Sequence, residues 1–362
     1  MTLLPFPTPD AVPPLPPTPV TFRVRAPEDF FALAPIVIGF EPEESIVMLT
    51  FGGRHPFNAR TDLPPRRELT PVTAAALADQ LLQPALVHGV RDLVLLFYSD
   101  DEGATARAFR ALRRRCRGAG IHLIDALRTD GRRYYPLLTP DGGRRQVGVP
   151  YDVADHPFAA EAVVQGRVVH ASRAALAAML DPEPAALVTV DRILEDPDYA
   201  DDPGFVDRTE ELLEAGAWVE ALVAGHVGRG TAPDEGEVAE LLWLIQYKRP
   251  RDAAWGLLRR ADAQRHLDFW VHVVRRTPDR FLPPAATLAG WAAWLAGDGA
   301  LAWTAVDRCR AVDPAYSLAG LLAEALERAV PPELGEPAWS WWAGLADRRP
   351  EPPAGDVGPV SR

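Results

Sequence analysis

Two hydrophobic patterns divide this chain. In the first part, short apolar runs such as "SIVMLTF" (45–51) and "RDLVLLFYS" (91–99) have the length and β-branched content of buried strands. Longer stretches between them have helical spacing: "TPVTAAALADQLLQPALVHGV" (70–90) and "DDEGATARAFRALRRRC" (100–116). Another strand, "GIHLIDALRTDG" (120–131), follows. This alternation predicts an α/β domain whose sheet is mixed or partly parallel.

The first residues of that domain predict a helix and a hairpin. "EDFFALAP" (28–35) is expected to begin a short helix, and Gly39 is expected to end the element before the first strand, because glycine adopts positive φ readily. "PFNARTDL" (56–63) can return as the hairpin partner of that strand after the turn "GGRH".

From Phe205 onward the pattern is helical throughout, with short loops of Gly, Pro and Asp. All ten Trp lie between Trp218 and Trp342, so the two halves fill their cores differently. We therefore predict an α/β domain over 21–200 followed by an all-helical domain over 201–332. A Pro-rich arm over 1–20 and a tail over 333–362 are expected to be disordered, the tail for the most part.

The segment 288–317, "LAGWAAWLAGDGALAWTAVDRCRAVDPAYS", resembles a tetratricopeptide repeat. Gly290, Ala302 and Cys309 fall on the small-residue positions of that repeat when Pro314 is set on its terminal proline. The resemblance implies two antiparallel helices in close contact, a repeat-like hairpin. Ala286 and Ala293 depart from the repeat, which has large residues at their positions.

Composition narrows the classes of partner. The net charge is -12, from 50 acidic and 38 basic residues, and no basic cluster stands out beyond "RRRCR" (113–117) at a predicted helix end. Lys248 is the only lysine and Asn58 the only asparagine, so the arginines reflect codon usage. We expect no affinity for nucleic acid, because a net negative protein repels a phosphate backbone.

Cys116 and Cys309 are the only cysteines and are far apart in the sequence, which is typical of a reducing cytoplasm. The N-terminal stretch lacks a basic n-region, so no signal peptide is expected. The longest uncharged apolar run, Phe30 to Phe40, is too short to span a membrane, which needs about 20 residues. A soluble, cytoplasmic protein is expected; the oligomeric state is left open.

Several segments together resemble the domain-of-unknown-function family 4192 of actinobacterial genomes. They are spread over Arg25 to about Pro332 and include "RAPEDFFALAPIVIGFEPEESIVML", "ARTDLP", "IHLIDALRTDGRRYY", "PYDVADHPFAAEAVVQG" and "RPRDAAWGLL". The resemblance implies an actinobacterial origin and no assigned activity. Cysteines that family members carry before "PYD" are replaced here by "LLTPDGGRRQVGV", so no thiol or metal role is expected in that segment.

Candidate catalytic residues are densest in "PYDVADHP" (150–157). Tyr151, Asp152 and His156 combine a phenol, a carboxylate and an imidazole, and a carboxylate can orient a histidine for proton transfer. The alternative is an ordinary helix entry with Pro157 in the first turn. Ser45 is a further candidate, although it lacks the Gly-x-Ser-x-Gly setting of a nucleophile elbow.

Candidate ligand-binding residues lie in a loop and on a strand. Asp100 and Asp101 follow the most apolar strand, where open α/β sheets bind ligands, and with Glu102 they can hold a divalent cation. The alternative is that Ser99 or Asp100 caps the next helix. Arg60 and Asp62 alternate on one strand, so their side chains should share a face and can form an ion pair.

The sequence carries no phosphate-binding loop, no dinucleotide-binding glycine motif and no His-Glu-x-x-His pair, so no structural zinc site is expected, no residue is selected as a metal ligand and the cofactor stays unknown. Two hypotheses remain. In the first, the chain is a non-catalytic interaction or regulatory module that binds a protein partner through its helical domain. In the second, it is a small-ligand-binding protein or enzyme with a site at the carboxyl edge of the sheet.

Overall fold

A computed structural model describes residues 22–350 of this chain, apart from 56, 139–146, 165, 197–198, 200–208 and 348. The strands are β1 (Ser45–Phe51), β2 (Asn58–Asp62), β3 (Asp92–Tyr98), β4 (His122–Thr129), β5 (Arg133–Pro136) and β6 (Val149–Pro150). The helices of the first half are α1 (Pro27–Ile38), α2 (Pro71–Val87), α3 (Glu102–Ala119), α4 (Pro157–Val164), α5 (Arg173–Ala177) and α6 (Pro184–Leu194). Those of the second half are α7 (Thr209–Arg229), α8 (Glu235–Leu244), α9 (Lys248–Gly256), α10 (Ala263–Val274), α11 (Leu282–Ala296), α12 (Gly299–Val312) and α13 (Ser317–Glu327).

The strands form one six-stranded sheet in the order β2-β1-β3-β4-β5-β6. β3 and β4 are parallel, and the other neighbouring pairs are antiparallel. The predicted mixed sheet is therefore confirmed, as is the hairpin of β1 and β2. Because β1 is antiparallel to both β2 and β3, the carboxyl ends of β2, β3 and β4 lie at the same edge of the sheet.

Helices cover both faces of this sheet, because its central strands are apolar on both sides. Helices α2 and α3 pack on one face, where Leu95 and Phe97 of β3 point. Helices α1 and α4 pack on the other face, against Val94 and Leu96. The continuous apolar run of β3 in the sequence reflects this two-sided burial.

Helix α1 is longer than the sequence suggested. It continues through Pro35 to Ile38 and ends at Gly39, whose φ of 91° is in the left-handed region. Gly39 donates its N–H to the Pro35 carbonyl at 2.8 Å, which closes the last turn. The expectation that Gly39 ends the preceding element is confirmed.

The second half is helical, as predicted: the described residues from 209 onward contain no strand. Helices α11 and α12 are antiparallel neighbours joined at Gly297 and Asp298. A Cβ atom built on Gly290 of α11 would approach Leu322 to 2.8 Å and Ala305 to 3.2 Å, so this position requires a very small residue. No helix among the described residues is long and apolar enough to cross a membrane.

The segment after α13 packs against the helical half, although the sequence predicted a mostly disordered tail there. Trp341 is only 2% exposed, and its ring lies against Gly216 of α7, where a Cβ atom would clash at 2.3 Å. The Trp341 carbonyl accepts a hydrogen bond from Arg249 Nη1 at 2.9 Å. The N-terminal arm and residues 351–362 lie outside the described part of the chain.

The two halves meet at Phe40. This residue connects α1 to β1, yet its ring is 3% exposed and belongs to the hydrophobic core of the helical half. His170 fixes the backbone on both sides of Phe40: its N–H donates to the Gly39 carbonyl (2.9 Å), and its carbonyl accepts the Glu41 N–H (3.0 Å). Phe40 is thus an anchor that the α/β half inserts into the helical half.

The core of the helical half also includes side chains of helices that precede residue 200. Leu176 and Leu180, near α5, and Val190 and Leu194 of α6 are buried in it. The boundary expected near residue 200 falls where 197–198 and 200–208 lie outside the described residues.

Replacing Phe40 with alanine should destabilise the whole protein, because the change leaves a cavity between the halves. We expect a loss of about 3 to 5 kcal/mol in the free energy of unfolding. Phe40→Leu, which keeps most of the apolar volume, should lose less than about 1.5 kcal/mol. Urea denaturation followed by tryptophan fluorescence, which reports on the helical half, would measure both. A loss below 1 kcal/mol for Phe40→Ala, on the order of a surface change, would contradict the anchoring role.

Candidate functional site

Most of the residues selected from the sequence lie at one edge of the sheet. The carboxyl ends of β2, β3 and β4 and the amino ends of β1 and β5 meet there. Asp62 ends β2, Ser45 begins β1, and Asp100 and Asp101 follow β3. Tyr151 joins the same edge because its hydroxyl lies 2.8 Å from Thr129 Oγ1, at the end of β4. The topology therefore gathers residues that are more than one hundred positions apart.

Ser45 is fully buried and its hydroxyl is bonded to an arginine. Arg60 donates to Ser45 Oγ from Nε (2.9 Å) and Nη2 (2.6 Å), while Ser45 donates to the Glu43 carbonyl. Arg60 Nη1 also pairs with Asp62 Oδ1 at 2.6 Å, so the predicted shared face of Arg60 and Asp62 is confirmed. No base contacts the hydroxyl of Ser45 among the described residues. Its surroundings are those of a structural serine.

The loop after β3 begins helix α3. Asp101, rather than Ser99 or Asp100, is the N-cap: its Oδ1 accepts the Ala104 N–H at 2.8 Å. That hydrogen bond, with weaker ones from other backbone groups, lowers the pKa of Asp101 despite partial burial. The carboxylate of Asp100 is exposed. Within the described residues, no group of three or more His, Cys, Asp or Glu is arranged to hold a metal ion.

His156 is bonded to a distant helix. Its Nε2 lies 3.0 Å from Asp29 Oδ1 in the first turn of α1, and its Nδ1 accepts the Phe158 N–H at 3.3 Å. Burial raises the pKa of Asp29, but hydrogen bonds from the backbone of Arg25 and Ala26 and from His156 outweigh it, so the pKa is lowered. Asp152 instead accepts the N–H of Ala154 at 2.9 Å. The expected pairing of His156 with Asp152 is therefore not formed.

Sequence reasoning missed Arg128, the residue before the end of β4. It is only 7% exposed, donates from Nη1 to the Ser99 carbonyl at 3.2 Å, and stacks 3.9 Å from the centre of the Tyr135 ring. No carboxylate among the described residues lies within 4.0 Å of its guanidinium. Arg128 is thus a buried cation without an ion pair in this part of the chain.

Asp130 is the acidic residue nearest to Arg128 in the sequence, but both of its carboxylate oxygens accept hydrogen bonds from other groups. Oδ1 accepts the backbone N–H groups of Arg132 (2.9 Å) and Arg133 (2.7 Å), and Oδ2 accepts the Tyr135 hydroxyl at 2.7 Å. Burial raises the pKa of Asp130, whereas these hydrogen bonds and the charge of Arg128 lower it, and the net shift is downward. Asp130 therefore acts on Arg128 only at longer range.

Arg251 is the other buried arginine among the described residues, and it forms an ion pair. It is 8% exposed, but its Nε and Nη2 bond Asp252 Oδ1 at 3.0 and 2.6 Å, and Nη1 lies 3.3 Å from the Tyr316 hydroxyl. The two arginines are equally buried, and only Arg251 has a carboxylate in contact. The contrast marks Arg128 as a residue whose burial is not compensated by the fold alone.

Glu44 is the second unusual residue at this edge. Its backbone has φ of +39°, and Ala329 is the only other described non-glycine residue with positive φ. The Ser99 hydroxyl donates to Glu44 Oε2 at 2.8 Å, and the Leu63 N–H bonds the Glu44 carbonyl at 2.8 Å. Ser99 thus contacts Glu44 with its side chain and Arg128 with its carbonyl. We refer to Arg128, Ser99, Glu44 and Tyr135 as the Arg128 site.

A family model described as a domain of unknown function, DUF4192, matches residues 27–333. The match covers most of the chain, so the chain belongs to this family. No curated protein and no solved structure matches it.

Replacing His156 with alanine should lower stability, because His156 joins α1 to the start of α4 in a partly buried hydrogen bond. We expect a loss of about 1 to 3 kcal/mol at pH 7. His122→Ala is the matched control, since His122 is largely exposed and pairs with Asp92 on the surface, and it should change stability by less than about 0.5 kcal/mol. Chemical denaturation of both variants would measure the difference. Equal, small effects would restore His156 as a candidate for chemistry.

Proposed function

We propose that this member of the DUF4192 family is a non-catalytic protein that binds a small ligand through an anionic group at the Arg128 site. The observation that carries the proposal is Arg128, a residue only 7% exposed whose guanidinium has no carboxylate within 4.0 Å among the described residues. A ligand carboxylate or phosphate in contact with Arg128 would supply the missing negative charge.

The burial of Arg128 carries a cost in free energy because it removes a charge from water. Removing an ion from water costs several kcal/mol even after relaxation, and a partner in good geometry is needed to offset it. Arg128 has one hydrogen bond to a carbonyl and one stacking contact with Tyr135, which contribute about 1 kcal/mol each, and the charge of Asp130 acts on it at longer range. These contacts do not balance the cost, so the site favours an anion.

The position of Arg128 agrees with the geometry of known α/β sites. Ligands of open α/β sheets bind outside the carboxyl ends of the strands, and helix N-termini there attract negative charge. Arg128 lies near the carboxyl end of β4, and it bonds the loop that leads from β3 into α3. The carboxylate of Asp101 already lies at the N-terminus of that helix, where it complements the helix dipole. A ligand anion would therefore interact mainly with Arg128.

Binding is favoured over catalysis because the candidate catalytic side chains are engaged elsewhere. Ser45 is bonded to Arg60, Tyr151 is bonded to Thr129, and His156 is bonded to Asp29. A proton-transfer pair needs a base within hydrogen-bond reach of its target, and these contacts join none of the three to another.

A regulatory role is supported by polar contacts that lead from the site to the helical half. Ser45, next to Glu44, bonds Arg60, which pairs with Asp62. Arg173 of α5 then lies 3.9 Å from Asp62 and 3.4 Å from Asp307 of α12. We propose that ligand binding is sensed by the helical half, which in turn offers a surface to a protein partner.

A cytoplasmic setting is part of this proposal. Both cysteines are free and buried, and burial raises the pKa of Cys116 to about 11, so that thiol is unreactive at neutral pH.

The proposal predicts that small anions stabilise the protein through Arg128. Thermal unfolding would be measured with acetate, inorganic phosphate, L-lactate and each common L-amino acid, for wild type, Arg128→Gln and Arg114→Gln. Arg114 is an exposed arginine of α3 and serves as the control. At least one of these compounds, each of which carries a carboxylate or a phosphate group, should raise the melting temperature of wild type and Arg114→Gln but not of Arg128→Gln. A ligand at 100 times its Kd stabilises by about 2.7 kcal/mol, which is readily detected.

Two results would contradict the proposal. One is that no anion in the panel shifts wild type. The other is that the shift persists undiminished in Arg128→Gln, which would place the bound anion elsewhere.

A further inference from the structure

We infer that the ligand of the Arg128 site is zwitterionic, an α-amino acid or a close relative, with its carboxylate on Arg128 and its ammonium group on Glu44. This inference rests on the proposed function and names the class of ligand. It depends on a second charged group, Glu44, that the argument for an anion does not use.

Glu44 presents a carboxylate with free hydrogen-bonding capacity. Its Oε2 accepts the Ser99 hydroxyl, whereas Oε1 has no hydrogen-bond partner among the described residues, and the side chain is exposed. The Ser99 hydroxyl also accepts the Asp101 N–H at 3.0 Å, so the serine is fixed and holds the Glu44 carboxylate in one orientation.

The backbone of Glu44 is strained to place it there. A φ of +39° is rare for a residue other than glycine and costs of order 1 kcal/mol or more. Its carbonyl is bonded to Leu63, which keeps the strained turn in place between Pro42 and the start of β1. Strained backbone positions of this kind are found most often at functional sites. An exposed carboxylate at such a position can accept a hydrogen bond from a donor group of a ligand.

The contacts with Ser99 limit the separation of the two charges to a range that includes the length of an amino acid. Arg128 and Glu44 form no ion pair, so their charged atoms are more than 4.0 Å apart. Both contact Ser99, Arg128 at the carbonyl (3.2 Å) and Glu44 at the hydroxyl (2.8 Å). The charged atoms therefore lie at most about 11 Å apart, given the dimensions of one residue. An α-amino acid with a hydrogen bond at each end spans about 5 to 9 Å.

The balance of charge disfavours other anions. Asp100 and Glu102 are exposed in the loop after β3 and, together with Glu44, outnumber Arg66, which lies beside that loop, so they oppose a phosphate or a dicarboxylate. A monocarboxylate without an amino group would satisfy Arg128 but leave Glu44 without a partner. A zwitterion adds no net charge and pairs with both residues, which makes Glu44 the residue that determines specificity.

Isothermal titration calorimetry with matched ligands tests this assignment. Each L-amino acid would be compared with the 2-hydroxy acid and the unsubstituted acid of the same side chain; for alanine these are L-lactate and propionate. The proteins are wild type, Glu44→Gln, Arg128→Gln and the control Glu43→Gln, whose exposed side chain is the immediate neighbour of Glu44.

We expect an amino acid to bind wild type and Glu43→Gln at least 10-fold more tightly than its hydroxy or unsubstituted counterpart. Glu44→Gln should lose that preference, because the amide keeps the shape and removes the charge that holds the ammonium group. Arg128→Gln should lose affinity for all three ligands.

The outcomes separate this inference from the proposal on which it rests. If a 2-hydroxy or unsubstituted acid binds wild type as tightly as the amino acid, and binding still requires Arg128, the zwitterion assignment is wrong and the anion site stands. Equal preference in Glu44→Gln and wild type would also overturn the role of Glu44. If no ligand of the three classes binds wild type, the zwitterion assignment fails, and the Arg128 site fails with it unless inorganic phosphate stabilises wild type through Arg128.

Discussion

The burial of Phe40 in the core of the helical half is the contact on which the arrangement of this protein depends. Gly39 ends α1 with a positive φ, and the chain then turns so that Phe40 enters the core of the other half before β1 begins. Burying a phenylalanine ring contributes about 1.5 to 3 kcal/mol to the free energy of unfolding. This is a large fraction of the total stability of a domain, which is about 5 to 15 kcal/mol. Arg60 lies over the same ring, 5.7 Å from its centre. The anchor thus positions the arginine that bonds Ser45, next to Glu44.

The polar side chains at the carboxyl edge of the sheet fall into two groups. Ser45, Asp101, Tyr151 and His156 are bonded to structural partners that hold the turns, the cap of α3 and the packing of α1 on α4. Arg128 and Glu44 are different, since one is a buried charge without an ion pair and the other occupies a strained backbone position. Both features cost free energy in the absence of a ligand, and proteins keep such costs most often at functional sites.

The sequence predicted the elements better than the contacts between them. Apolar runs identified β1, β3 and β4, and the glycine after "APIVI" marked the end of α1, because these signals are local. The cap of α3 was placed one or two residues early, since Ser99, Asp100 and Asp101 all have capping side chains and only the backbone decides among them. The bond between His156 and Asp29 joins residues 127 positions apart, and no local pattern encodes it.

Arg128 was missed for a different reason. The excess of arginine was attributed to codon usage, and only Arg60, which is two positions from Asp62, was selected as a candidate. Its position in "LIDALRTDG" held a signal: an arginine that follows the apolar pair Ala126 and Leu127 directly before the strand end. Phe40 and Trp341 gave no comparable signal, because burial of an aromatic residue in a distant core depends on tertiary packing.

The most direct test of this account is the stability of Arg128→Met in the absence of ligand, measured by chemical denaturation beside Arg251→Met. If Arg128 is retained for a ligand, methionine should leave the free energy of unfolding unchanged or raise it, because removing an uncompensated buried charge offsets the loss of one hydrogen bond and one stacking contact. Arg251→Met, which leaves Asp252 without its partner, should lose about 3 to 5 kcal/mol. A loss of that size in Arg128→Met would show that the fold itself requires Arg128, and would contradict the account.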